Sequence, residues 1–124
     1  MASRREEHQE DVRLRVMCLI DENSEMSSRQ IADKVGIANG SAYYVLTALI
    51  EKGFVKLENF KNSQRKAQYA YLLTPSGIRE KSLLTHRFIG RKRQEFVALR
   101  AEIESLEKEV GLAKDLSSSE SSVK

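Results

Sequence analysis

The sequence predicts a mainly α-helical fold with a small β-hairpin and a long C-terminal helix, and three observations carry that reading. The chain has 124 residues, 40% of them apolar and 31% charged, with no Trp, one Pro and six Gly, a balance that fits one small helix-rich domain better than a β-rich one. Apolar residues recur at helical spacing in four stretches but alternate in only two short ones, which lie side by side. Finally, the pattern that starts at Thr74-Pro75 stays helical to Val110, roughly 54 Å if unbroken. A domain of this size cannot bury such a length.

The elements follow from local chemistry. From about Glu6 to Glu22, Val12, Val16, Leu19 and Ile20 recur among charged residues, giving a first amphipathic helix that Asn23 to Met26 interrupts. Ser27-Ser28-Arg29-Gln30 places a hydroxyl three residues before a Gln, the pattern of a capping box, and Ile31, Ala32 and Val35 supply the apolar face of a short second helix. Gly36 can take the left-handed conformation that ends it. Asn39 is positioned to cap a third helix, expected over 39–52. Two helices joined by so tight a turn describe a helix-turn-helix. In the third, Ala42, Val45, Leu46, Leu49 and Ile50 form one apolar stripe. The opposite face presents Gly40, Tyr44, Thr47, Ala48 and Glu51, flanked by Ser41 and Tyr43. A helix that only meets solvent would carry Lys and Glu there; small polar groups and two Tyr point to a contact surface. Gly53 ends this helix. Val55 and Leu57 then alternate with Lys56 and Glu58, and Tyr69, Tyr71 and Leu73 share one side of a second strand. The hairpin loop Lys61-Asn-Ser-Gln-Arg-Lys66 is half basic. Thr74 and Pro75 open the last helix as N-cap and first helical residue, with Gly77 and Gly90 weakening it locally.

Charge is segregated. The net value is +3, but residues 1–27 carry four basic and seven acidic side chains, residues 28–74 seven and three, and residues 77–93 six and one. A local basic surface suits a polyanion. No apolar run approaches the length that crosses a bilayer, and the charged start MASRREEHQEDVR lacks the apolar stretch of a secretory leader. A cytoplasmic protein without membrane association is expected, with the lone Cys18 a small core residue rather than half of a disulfide. His8 and His86 are far apart and neither has ligand spacing to Cys18, so no metal is expected. No serine neighbours a base, and no Gly-rich phosphate loop follows a strand. The chain is expected to be no enzyme and to need no cofactor.

Helix, helix-turn-helix, two-stranded hairpin and further helix is the order of a winged helix. The stretch from Ser28 to Gly77 resembles the MarR family of bacterial transcription regulators, on Ser28-Arg-Gln-Ile-Ala-Asp-Lys-Val-Gly36, Leu49-Ile-Glu-Lys-Gly-Phe-Val55 and Tyr71-Leu-Leu-Thr-Pro-Ser-Gly77. Asn59-Phe-Lys-Asn-Ser63 and the helix carrying Arg87 to Arg93 are similar to its short exopolysaccharide-associated subgroup. The resemblance implies that the third helix lies in the major groove of double-stranded DNA, with the hairpin loop as a wing on the backbone or minor groove. On that basis Ser28, Arg29 and Gln30 at the second helix start, Asn39, Ser41, Tyr43, Tyr44 and Thr47 on the third helix, and Lys61, Arg65 and Lys66 on the wing are the expected DNA contacts. Hydroxyls of Ser41 and Thr47 can bond phosphate or base edges, and the Thr47 methyl can meet a thymine methyl. Many relatives place an acidic residue beside the wing Arg; this loop has none. Control by a small-molecule effector is an open question. The rival reading is a winged helix serving as a protein-interaction adaptor; an RNA reader would expose an aromatic stacking sheet.

Three regions are expected: a DNA-binding domain over 1–74, a C-terminal helix over 75–111, and a disordered Ser-rich tail over 112–124. Ile89, Phe96, Ile103 and Val110 are spaced by seven, with Leu99 and Leu106 three residues after Phe96 and Ile103. That is a coiled-coil-like seam for a homodimer, interrupted by Lys92. A two-fold dimer would place two recognition helices on an inverted repeat.

Overall fold

The computed structural model describes residues 3–61 and 67–111, in the order α1 (Arg4–Glu22), α2 (Ser28–Val35), α3 (Asn39–Glu51), β1 (Val55–Lys61), β2 (Ala67–Leu73) and α4 (Pro75–Glu109). This is the mainly helical architecture with an antiparallel β-hairpin and a long last helix that the sequence predicts. Arg65, Lys66 and the tail over 112–124 lie outside the described residues. The chain divides into two compact units, one running to His86 and the other starting at Arg87, so the division falls within α4.

Helix starts are chemically defined. α1 begins two residues earlier than its apolar pattern requires, because Ser3 and Glu6 form a capping box: Glu6 N–H donates to Ser3 Oγ at 3.1 Å and Ser3 N–H to Glu6 Oε1 at 2.8 Å. The same exchange between Ser27 and Gln30 opens α2, at 3.1 and 2.9 Å. Gly36 closes α2 with φ of 83°, its N–H donating to Ala32 O, a left-handed conformation that glycine adopts without cost. The expected cap of α3 is corrected. Ala38 holds the N-cap position, makes no side-chain cap bond, and leaves Asn39 as the first helical residue with its amide exposed.

The core of the first unit is built from α1, α2, α3 and the base of the hairpin, with Leu84 of α4. Val16, Met17, Ile31, Leu46, Leu49 and Leu84 are its largest fully buried side chains. Each such aliphatic side chain contributes about 1.5–3 kcal/mol of burial. On α1, Leu14 and Met17 take inner places, whereas Val12 and Leu19 are only half-buried. The stripe of α3 is narrower than its periodicity implies. Ala42, Leu46 and Leu49 are buried, Val45 is half-buried and Ile50 is exposed, because Val45 and Ile50 sit on the two edges of the arc that Leu46 and Leu49 centre.

β1 and β2 pair antiparallel with Val55 opposite Leu73, Leu57 opposite Tyr71 and Asn59 opposite Tyr69. The alternation is as expected, but Tyr69 is exposed while Val55 and, on the other face, Ala70 are buried. Val55 lies at the base of the hairpin beside the helices, whereas Tyr69 stands farther out along β2. β2 also reaches back to the α1–α2 connection, where Tyr71 N–H donates to Ser24 O at 3.0 Å.

The end of α3, the start of β1 and the start of α4 meet at one junction. Gly53, with φ of 80°, and Phe54 turn the chain out of α3, Phe54 N–H donating to Leu49 O at 2.9 Å. Thr74 Oγ1 donates to Gly53 O at 2.6 Å and accepts from Gly77 N–H at 3.0 Å, while Thr74 N–H donates to Phe54 O at 3.0 Å. Thr74 therefore caps α4 and clamps it to the hairpin together. Gly77 lies so close that a Cβ there would overlap the carbonyl of Phe54. Nearby, Lys81 Nζ bonds Asp21 Oδ2 at 2.9 Å, joining α4 to the end of α1. That bond to Asp21 holds the ammonium above its ordinary value of 10.5 despite opposing desolvation.

Two glycines of one helix predict opposite outcomes. Gly77→Ala loses about 2 kcal/mol or more in urea unfolding, since the obstacle is backbone that cannot yield. Gly90 has nothing within 4 Å of an added Cβ, so Gly90→Ala gains up to about 1 kcal/mol from helix propensity. For the exposed Lys81–Asp21 pair, Lys81→Gln costs under about 1 kcal/mol. Because the folded pKa is raised, that contribution is complete below pH 10.5 and disappears as pH rises through the folded value. Unfolding curves of wild type and Lys81→Gln therefore converge at high pH.

Candidate nucleic-acid interface

The surface that gathers the most expected contact residues is the outer face of α3. From Asn39 to Ile50 this helix carries no charged side chain. Its buried arc is satisfied by Ala42, Leu46 and Leu49, so its polar residues have no structural duty and face outward. Asn39 and Ser41 are exposed, Tyr43 and Tyr44 are 66% and 75% exposed, and Thr47 is half-buried. Large aromatic side chains held this open on a rigid helix are unusual for a surface that meets only water.

The two sides of that face differ. Ser41, Tyr44, Val45, Ala48 and Lys52 border a groove of about 590 Å³ whose other wall is His8, Gln9, Val12 and Arg13 of α1, with Ile37 and Gly40 at one end. On the other side Tyr43 approaches Tyr71 of the hairpin: burial pushes the Tyr71 phenol above 10.0, and the Tyr43 phenol adds to the rise. The outer face of α3 is bracketed by α1 and the hairpin, with a neutral centre and cationic margins in Arg13 and Lys52.

The sequence pattern did not assign Arg13 or His8 to this surface. His8 lies off the buried arc of α1, whereas Arg13 falls on it by spacing, three and four residues before the buried Val16 and Met17, and nothing in one helix's periodicity tells which neighbour that end of the helix faces. At the start of α2, Arg29 is exposed, Ser28 half-buried, and the amide oxygen of Gln30 is committed to its own capping box. Gln30 keeps its amide nitrogen for an outside acceptor. On the hairpin, the backbone of Lys61 ends β1; Arg65 and Lys66 lie outside the described residues, so the wing side of the expected contact set stays an expectation.

Among the described residues no group of three or more His, Cys, Asp or Glu could hold a metal ion, and no helix is long and apolar enough to cross a membrane.

Comparison with known proteins places the fold. Residues 9–56, from the middle of α1 to the start of β1, match the family described as winged helix-turn-helix DNA-binding. Among solved structures, the chain is similar to a MarR/EmrR family transcriptional regulator from Acinetobacter sp. ADP1 (23% identity, TM-score 0.54, 66% of this chain and 56% of that one). It is similar also to the PcaV transcriptional regulator from Streptomyces coelicolor (23%, 0.55, 69% and 59%). A third is MepR of Staphylococcus aureus, a transcription regulator of the multidrug efflux pump MepA (21%, 0.53, 87% and 78%). No curated protein matches the chain in sequence. The chain thus spans well under two thirds of the first two structures, and at these identities the likeness establishes the winged helix-turn-helix fold.

The groove generates one prediction. Ala48→Trp fills it from the α3 side; because Ala48 is only half-buried, stability changes by less than about 1 kcal/mol, measurable in urea. A large loss of stability would show that the groove closes in solution.

Proposed function

We propose that this chain is a MarR-family regulator that binds double-stranded DNA sequence-specifically as a homodimer, with α3 in the major groove. The observation that carries the reading is the outer face of α3: charge-free from Asn39 to Ile50, rich in hydroxyls and exposed aromatics, and flanked by cations. Base edges in a major groove are read by hydrogen bonds and methyl contacts, and phosphates by cations at the margin. In this reading Thr47 and Ser41 address base edges, Tyr43 and Tyr44 reach phosphate or sugar, and Asn39 is free to bond adenine because it is not consumed as a cap. Ser28, Arg29 and Gln30 approach the backbone at the start of α2. Lys61, Arg65 and Lys66 supply wing cations, and Arg13, with Lys52, is added to the set from the structure.

The homodimer rests on α4. From Arg87 to Val110 no side chain is buried, and Ile89, Phe96, Leu99, Ile103, Leu106 and Val110 are all exposed along one stripe. So long an apolar stripe calls for a partner. A two-fold dimer implies an inverted-repeat target. Regulation of exopolysaccharide genes is the finer reading, supported by the sequence resemblance alone, and the protein would act in the cytoplasm. The adaptor alternative has no specific observation in its favour, and neither reading invokes a cofactor or catalysis.

Fluorescence anisotropy with labelled duplex across a salt series tests the proposal. Affinity falls steeply as salt rises, because cation–phosphate contacts release counterions. Thr47→Ala changes sequence preference, whereas Lys61→Ala with Arg65→Ala weakens all duplexes alike. Absence of duplex binding by the intact protein in low salt overturns the proposal. Leu99→Asp with Ile103→Asp places charges on the apolar stripe and yields a folded monomer with reduced affinity for a specific site.

A further inference from the structure

The groove between α1 and α3 carries a charge pattern that packing does not explain. From Glu6 to Arg13, α1 holds four acids, Glu6, Glu7, Glu10 and Asp11, yet the wall it gives to the groove consists of His8, Gln9, Val12 and Arg13. At helical spacing those four share one side of α1, and the acids fall on the rest of its circumference. Facing them, α3 presents Ser41, Tyr44 and Lys52, with Val45 and Ala48 between. Among the described residues no acid lines the groove, and His8, Gln9, Ser41, Tyr44 and Lys52 are exposed with Arg13 half-buried.

Every polar side chain on the two walls can donate a hydrogen bond, and a protonated His8 would donate from both ring nitrogens. A phosphodiester backbone asks for that set, because its phosphate oxygens only accept, while its sugars suit the apolar Val12 and Val45. Length points the same way. Ser41 and Lys52 lie on one helix, roughly 16 Å apart along its axis, which exceeds a single small anion and takes a run of phosphates spaced about 3.4 Å along a duplex strand. Ser41 and Tyr44 also belong to the outer face of α3. A strand bordering that face on the α1 side therefore runs along the groove.

We propose that one sugar-phosphate strand of the bound duplex lies along this groove and that His8 contacts it as an imidazolium. The proposal rests on the DNA-binding reading above and adds the path of the strand and a proton-linked contact. Imidazoles ordinarily change charge near pH ~6.5, and an adjacent phosphate favours the charged form. Around His8, Arg4, Arg5 and Asp11 lie one turn away on α1, Arg13 shares its wall, and Tyr44 and Lys52 stand on α3. The cations outnumber Asp11, so the phosphates supply the attraction that brings the proton. Binding then takes up a proton at His8, and affinity rises as pH falls through the neutral range.

Fluorescence anisotropy of the full-length protein with labelled duplex, at fixed ionic strength from about pH 8 to about pH 6, tests the contact. The wild type gains about fivefold in affinity over that range. His8 and His86 are the two His of the chain; His86→Gln keeps the gain, whereas His8→Gln, a change at an exposed position, loses it. A salt series gives a second readout: Arg13→Gln lowers the slope of log affinity against log salt by about one per bound chain and leaves sequence preference unchanged. The same pH dependence in wild type and His8→Gln overturns the His8 contact, and an unchanged slope in Arg13→Gln overturns the path of the strand. Absence of duplex binding by the wild type at every pH in low salt overturns instead the DNA-binding reading on which both rest.

Discussion

The junction of Thr74 and Gly77 with the Gly53–Phe54 turn is the constraint on which the rest depends. A single hydroxyl donates to the carbonyl of Gly53 just past the end of α3 and accepts from the Gly77 amide in the first turn of α4, while Gly77 lets the two backbones come closer than any side chain would permit. Three consequences follow from this one contact. It ties together where the chain leaves α3, where the hairpin departs, and where the long helix begins. A Thr–Pro–Ser–Gly run at the start of a helix is therefore a coupling device between three elements as well as a helix start.

The outer face of α3 inherits its chemistry from that scaffold. Because Ala42, Leu46 and Leu49 satisfy the core from one narrow arc, the remaining positions of α3 are released from packing and can be chosen for contact. The neighbours set the margins: α1 contributes Arg13 across a groove, and β2 contributes Tyr71, whose phenol pKa is raised above its ordinary value by burial and by the Tyr43 phenol. In the proposed DNA-binding reading, a neutral centre with cationic edges separates two tasks: edge cations would hold the backbone, and the uncharged centre would approach base edges without the desolvation cost of a buried charge.

Much of this was legible in the sequence. Helix periodicity, the Ser27–Gln30 capping box, the positive-φ glycines at Gly36 and Gly53 and the Thr74–Pro75 start are local signals, written in consecutive residues. What escaped was whatever depends on a second element. Asn39 has the composition of a cap, but Ala38 takes the place because the helix starts one residue earlier. Ile50 has the spacing of a core residue, yet lies on the edge of the arc. Tyr69 alternates correctly but sits too far out on a twisted hairpin to be covered. Gly77 reads as a weakness in a helix until Phe54 is known to lie against it, and Arg13 borders the outer face of α3 only because α1 forms the other wall of its groove. Of the proposed contact set, the exposure of the α3 positions was readable because an uncharged outer face is itself a sequence pattern; the α1 margin was not.

Selection of bound sequences from a random duplex library by the full-length protein tests the central claim most directly. If α3 reads base edges and a two-fold dimer presents it twice, the recovered sequences converge on an inverted repeat whose half-sites lie about one helical turn apart or a multiple of it. Convergence on an asymmetric single site would contradict the two-fold arrangement. A pool that remains random after selection would contradict sequence reading by this face.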